Sequence, residues 1–314
     1  MLHDHQSQLV AAPTGHGEAV GGVLFAGVGD EAASDLAGQI DAVGRQLGWQ
    51  LIELRTVDGV PLAELDDRAF DRCVASLAAA GLSTACVDSR IAGWSRPVSG
   101  SLADDLAELD VLAARCAALG TRYVRIMSYP NDGLSEQDWV AEVLRRTKLL
   151  ARRAEDSGLV LLHENCSGWA GTSAERMLRL VEETDSPALR LMFDTGNGAA
   201  YGYPSLPMLT ELLDRAPELV AHVHVKDAVG AGDDASYTMP GDGESDVAAC
   251  LRLLVEHDFT GVWSIEPHVN VQPHKGLFTE GRKGVPAFVE YGRRLESLVW
   301  DEVLGSRRPG GGPR

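Results

Sequence analysis

Apolar positions in this chain recur with two different periods, one after the other. Short runs that are apolar throughout or alternate with period two read as strands: 22–27, 49–55, 82–88, 121–128, 159–165, 189–194, 220–227 and 261–266. Between them lie longer stretches with apolar residues three and four apart, which read as helices: 36–47, 66–81, 102–119, 135–157, 173–184, 206–216, 245–257 and 285–299. Ser34 and Ser245 stand where N-caps are expected, and Gly48, Gly81, Gly120 and Gly158 stand where helices stop. The run 220–227 departs from the others. Ala221, Val223 and Val225 alternate with His222, His224 and Lys226, so one face of a strand flanked by buried elements carries two imidazoles and an ammonium.

Strict alternation of strand and helix predicts a parallel sheet built from βα units. Eight such units over about 280 residues predict an α/β fold with a single (β/α)8 TIM barrel. No Gly-x-Gly-x-x-Gly follows the first strand, so neither a dinucleotide-binding sheet nor a nucleotide cofactor is expected. Residues 1–21 lack periodicity and read as a flexible arm in which His3, His5 and His16 are solvated. The barrel domain is expected over residues 22–300, and 301–314, rich in Gly, Pro and Arg, reads as a disordered tail.

Composition narrows the chemistry. The 314 residues carry a formal net charge of −18, which disfavours nucleic acid and anionic membranes as partners. No apolar run is long enough to span a bilayer, and the N-terminus lacks the basic and apolar segments of a secretory signal. The five cysteines are scattered without a CxxC pair, so reduced thiols and a cytoplasmic location are expected.

In such a barrel, chemistry sits at the C-terminal ends of the strands. Strands five to eight end at Glu164, Asp194, His224 and Glu266, the first three at equal intervals of 30 residues. Strand parity turns all four the same way, and equal spacing predicts equal height. Three carboxylates crowded in a barrel mouth repel one another and lose hydration, and a divalent cation is the natural compensation. Three oxygens and one imidazole suit Mn²⁺ best, with Mg²⁺, Co²⁺ or Zn²⁺ as alternatives. Lys226 lies one strand step above His224 and His222 one step below. Asn197, His222, His268, Arg55 and Trp169 are further candidates for holding substrate, Trp169 by stacking on a sugar face. His163 has the opposite parity to Glu164 and is expected to pack.

Five segments carry a resemblance: His163-Glu164-Asn165, Phe193-Asp194-Thr195-Gly196-Asn197, His222 to Asp227, Gly241-Asp242-Gly243-Glu244 and Ile265-Glu266-Pro267-His268. Together with Glu53-Leu54-Arg55 they resemble the xylose isomerase-like TIM-barrel superfamily, which includes ketose 3-epimerases, hydroxypyruvate isomerase, inosose dehydratase and subunits of C-glycoside deglycosidases. The resemblance implies that Glu164, Asp194, His224 and Glu266 ligate one metal and that the two glutamates exchange a substrate proton. Many members have His three residues after the metal-binding Asp; here that residue is Asn197. The three-metal endonuclease branch is not expected, because the first-half strand ends lack its histidines and the charge is wrong for DNA.

The expected activity is metal-dependent isomerisation or epimerisation of a keto-sugar by proton transfer next to the carbonyl, with Glu164, Glu266 and Lys226 as catalytic residues. The alternative is a lyase that eliminates a β-substituent from the same intermediate, with His268, Lys226 or His163 as the acid. The glycine-containing segment 239–244 carries two acids and no base, so a neutral carbohydrate is expected, although Lys275, Arg282 and Lys283 keep a phosphate in play. A homo-oligomer or a partner subunit is compatible with this reading.

Overall fold

The computed structural model describes residues 23–269, 277 and 280–305. Eight parallel strands form one sheet: β1 (Leu24–Gly27), β2 (Leu51–Leu54), β3 (Ser83–Asp88), β4 (Tyr123–Ser128), β5 (Val160–Gly168), β6 (Leu189–Asp194), β7 (Val220–Val225) and β8 (Val262–Ile265). Each strand from β2 to β8 pairs with its successor, and β8 pairs with β1. A single parallel bridge between Val28 and Glu53 brings β1 to β2 and nearly closes the ring. The helices flank it: α1 (Leu36–Ile40), α2 (Asp67–Ala80), α3 (Leu102–Leu119), α4 (Glu136–Asp156), α5 (Ala174–Thr184), α6 (Asn197–Tyr201), α7 (Ser205–Arg215), α8 (Val247–Glu256) and α9 (Val285–Leu298). The chain is a single (β/α)8 barrel, as the alternation predicts.

The interior has two levels. Outward-facing residues such as Ile126, Leu161, Leu191, Val223 and Ile265 join the helices in the main core. Inside the ring, Ala26, Leu51, Ala85 and Val262 form one apolar cluster and Cys86, Leu162 and Met192 another. Toward the C-terminal strand ends, the inward positions turn charged. The lower barrel is thus largely an apolar plug, with the charged residues above it.

Several boundaries differ from expectation for local reasons. Asp35, not Ser34, caps α1, its carboxylate accepting from the Gly38 amide. Ser245 does not cap α8. The preceding position Asp246 takes a left-handed backbone (φ 54°), and the Ser245 hydroxyl accepts instead from the Ala228 amide. β5 runs three residues beyond Asn165 because Gly168 pairs with Ser128. The last helical backbone continues through Val299–Val303, past the boundary expected at 300, because Val299 and Trp300 are buried. The arm 1–21, with His3, His5 and His16, lies outside the described residues, as does the tail from 306 onward. All five cysteines are buried free thiols, and no described helix is long and apolar enough to cross a membrane.

Candidate metal centre and active site

Ligand atoms of Glu164, Asp194, His224 and Glu266 all lie within 4.8 Å of one another. They do not stand at one height. Asp194 pairs with His224, but Glu164 pairs with Met192 and His224 with Ser264, two residues short of Glu266. Equal spacing in sequence becomes a stagger because barrel strands tilt and shear, and the side chains converge across it.

Each ligand candidate is held from behind. Asp194 Oδ1 accepts from the Gly196 and Asn197 amides at 2.7 and 2.8 Å, leaving Oδ2 directed at the cluster. The Asn165 carboxamide grips the Asp194 backbone from both sides, at 2.6 Å to its amide and 2.8 Å to its carbonyl. Gly196 is required by contact, since a Cβ there would sit 2.6 Å from Lys226 Cβ. His224 Nε2 lies 3.2 Å from Glu53 Oε1, and His222 Nε2 lies 3.1 Å from Glu53 Oε2. His224 Nδ1 has no hydrogen-bond partner and faces Glu266, Glu164 and Asp194 oxygens at 3.5, 3.7 and 3.9 Å.

Cations balance these acids. Lys226 Nζ is 2.6 Å from Glu266 Oε2, 3.0 Å from Asp194 Oδ2 and 3.1 Å from Asn197 Oδ1. Asn197 also donates to Glu164 Oε1 at 3.0 Å, so it links the lysine to the glutamate. Arg55 meets Glu266, Asp30 and Glu31. Burial would raise the Glu164 carboxyl, but Arg125 and His224 bring it down to about 2. Glu266 is also buried, yet Lys226, His268 and His224 hold it well below the usual range. Asp194 goes the other way: burial, with Glu164 and Glu266 beside it, raises it despite Lys226. Burial opposes charge on His224, but Glu53 and the flanking glutamates raise its pKa well above the ordinary value.

A divalent cation fits this donor set. An unpartnered imidazole nitrogen faces three carboxylates, and such a set suits Mn²⁺, Mg²⁺, Co²⁺ or Zn²⁺. The cluster opens on a cavity of about 490 Å³, lined among others by Arg55, Asp88, Arg125, Tyr237 and His268. Glu164, Glu266, Lys226 and Asn197 also line it. A hairpin pairing Asp227–Val229 with Ser236–Thr238 lowers Tyr237 onto His268, ring to ring at 5.0 Å.

Two expected substrate contacts are not brought to the cavity. Trp169 is buried on the helix side, where its indole donates to Glu136 Oε1 and its ring lies under Arg176 and Arg179. A loop residue has no periodicity to show which way it faces. The tryptophan that does line the cavity is Trp94, 45% exposed at its mouth. His222 lies beneath the cluster against Glu53 and does not line the cavity. His163 packs outward, with both ring nitrogens unpartnered and burial lowering it to about 4. Two acids were not singled out in the sequence, Glu31, which accepts from His268, and Asp88, and Glu53 was read only as part of the strand-two motif, with no role assigned. Asp88 and Glu53 carried the signal already in use, an inward acid at or near a strand end.

The amides of the segment after β7 are engaged by one of the chain's own acids. The Asp227 carboxylate accepts from the Ala228, Gly241, Gly243 and Ser245 amides at 2.8–3.2 Å. Arg282 pairs with Asp35 and Lys283 with Glu280, while Lys275 lies outside the described residues.

Residues 42–284 match the family described as xylose isomerase-like TIM barrel. Inosose dehydratase of Salmonella typhimurium is 29% identical over 163 residues, covering 47% of this chain and 52% of that protein. Inosose dehydratase of Bacillus velezensis is 30% identical over 149 residues, covering 42% and 48%. The chain therefore spans about half the length of the curated relatives it matches. Among solved structures, the IOLI protein with a bound zinc atom superposes with a TM-score of 0.70 at 17% identity, covering 89% of this chain and 98% of that one.

Proposed function

The chain belongs to the xylose isomerase-like TIM-barrel family, and on that premise we propose that it is a divalent-metal-dependent isomerase or epimerase of a neutral keto-sugar or related polyhydroxy carbonyl compound. The observation that carries this reading is the pair Glu164 and Glu266, which belong to one ligand cluster and open on one cavity. A divalent cation bound there supplies Lewis acidity that makes a C–H beside a carbonyl more acidic.

The chain's own groups do the rest. Glu164, ionised and held by Asn197 and Arg125, takes the carbon-bound proton, and Glu266 serves the opposite face. Lys226 and Asn197 hold substrate oxygens, and His268 reaches the same space. Trp94 offers a ring face at the mouth. Neutrality of the substrate is supported by two features. Asp227 already fills the amide pocket after β7, and Arg55, Arg125 and Lys226 are each paired with carboxylates.

Dehydration of a keto-polyol is the second reading, favoured by the inosose dehydratases among the relatives. It uses the same proton abstraction, followed by departure of a β-hydroxyl as water with a proton from Lys226 or His268. The Mn²⁺-loaded protein incubated in heavy water with D-fructose, D-tagatose and an inosose separates the two. Deuterium entry without loss of water supports the first reading. An unsaturated ketone supports the second. Neither product from any of the three, in protein that holds metal, sinks both.

A further inference from the structure

Asp88 ends β3 and lines the cavity from the wall opposite the strands that supply the metal cluster. It is 4% exposed. Its Oδ1 meets Arg125 Nε at 3.4 Å, a long contact, and its buried Oδ2 has no hydrogen-bond partner. The same Arg125 Nε lies 3.5 Å from Glu164 Oε2, so one guanidinium is shared between Asp88 and the proposed base. A buried acceptor left unpaired costs about 1–3 kcal/mol. A carboxylate needed only for structure would have both oxygens paired; this residue, with one oxygen unpaired, belongs to the wall of the cavity.

We propose that Asp88 is a substrate-binding residue that holds a hydroxyl of the polyhydroxy substrate on the β3 side of the cavity. This rests on the reading of the cavity given above and extends it to a residue outside the ligand cluster. Around Asp88 stand Arg125 from β4, Glu53 from β2, His224 from β7 and Glu266 beyond β8, with Cys86 beneath it on its own strand. Burial, with Glu53 beside it, pushes its carboxyl up to about 8 against the pull of Arg125. A neutral carboxyl both donates and accepts, as an alcohol does, so the pair is fully matched. A ligand lacking that hydroxyl leaves the carboxyl unpaired, which makes the position a determinant of specificity.

The test is calorimetric titration of the Mn²⁺-loaded full chain with xylitol and myo-inositol, in the parent, Asp88→Asn and Asp88→Ala. Mn²⁺ affinity is measured in all three. Asp88→Ala is expected to weaken polyol binding by about tenfold or more. Asp88→Asn keeps a donor and an acceptor and is expected to stay within about threefold of the parent. Mn²⁺ affinity should be unchanged in both variants. Polyol affinity equal in the parent and Asp88→Ala overturns the proposal, as does a loss of Mn²⁺ affinity that parallels the loss of polyol. Equal losses in Asp88→Asn and Asp88→Ala overturn recognition by the neutral carboxyl. A parent that holds Mn²⁺ but binds neither polyol overturns the underlying reading of the cavity, and the role of Asp88 with it.

Discussion

Glu53 Oε1 lies 3.2 Å from His224 Nε2, across the barrel and 171 residues away in sequence. An imidazole that donates to this carboxylate from Nε2 presents the lone pair of Nδ1 to the three acids above. Orientation of a ligating histidine by a carboxylate behind it typically contributes 10–100-fold in metal affinity. Glu53→Gln is therefore expected to weaken Mn²⁺ binding by about that factor, read by calorimetric titration. An unchanged affinity would show that the ring is held by packing alone.

The two tryptophans should part company under mutation. Trp169 is 1% exposed and sandwiched beside α5, so Trp169→Ala is expected to cost about 3–5 kcal/mol in urea denaturation. Trp94, at the mouth, is expected to tolerate Ala within about 0.5 kcal/mol. Trp94→Ala should instead weaken polyol binding. The reverse pattern would restore Trp169 to the site.

His163 is fully buried among Leu161, Ile126 and Leu191 with both nitrogens unpaired. Replacing it with a hydrophobic residue of similar volume removes a desolvated polar group. His163→Leu is expected to stabilise the chain by about 1–2 kcal/mol, measured as a shift of the urea midpoint. Destabilisation would point to a polar partner for the ring.

Asp88 gives the fold a pH dependence with a definite sign. Its carboxyl titrates near 8 when folded, because of burial and the nearby Glu53, and near about 3.9 when unfolded. Between these values the folded chain holds a proton that the unfolded chain has released. This contribution to stability is complete below pH about 4, declines as pH rises and is lost above about 8. Comparison of denaturation midpoints at pH 5 and pH 8.5 should show a decline in the parent that is smaller in Asp88→Asn. Equal declines in the two would place the ionised carboxylate in the fold at neutral pH.

Strand parity was the most legible signal. Knowing only that Glu164, Asp194, His224 and Glu266 share inward parity was enough to foresee one cluster, because a barrel leaves inward side chains nowhere else to point. What stayed hidden depends on contacts between distant segments. Glu53 supports His224 only once β2 and β7 face each other across the ring. Trp169 sits in a loop whose direction is set by Gly168 at φ 97° and by the Glu136 acceptor on α4. Ser245 has the right side chain for a cap, but the left-handed backbone at Asp246 removed the geometry that capping needs.

The Asp227 carboxylate has one further consequence. It is an anion attached to the loop it fills, so its local concentration at those amides is set by the tether, on the order of millimolar or above for short linkages. A free phosphate monoester reaching the same amides would have to displace a competitor that never diffuses away. On the proposed reading of a neutral substrate, discrimination against phosphorylated sugars takes the form of competition rather than of a missing contact. A change that shortens or neutralises residue 227 would free the amides for an anion from outside.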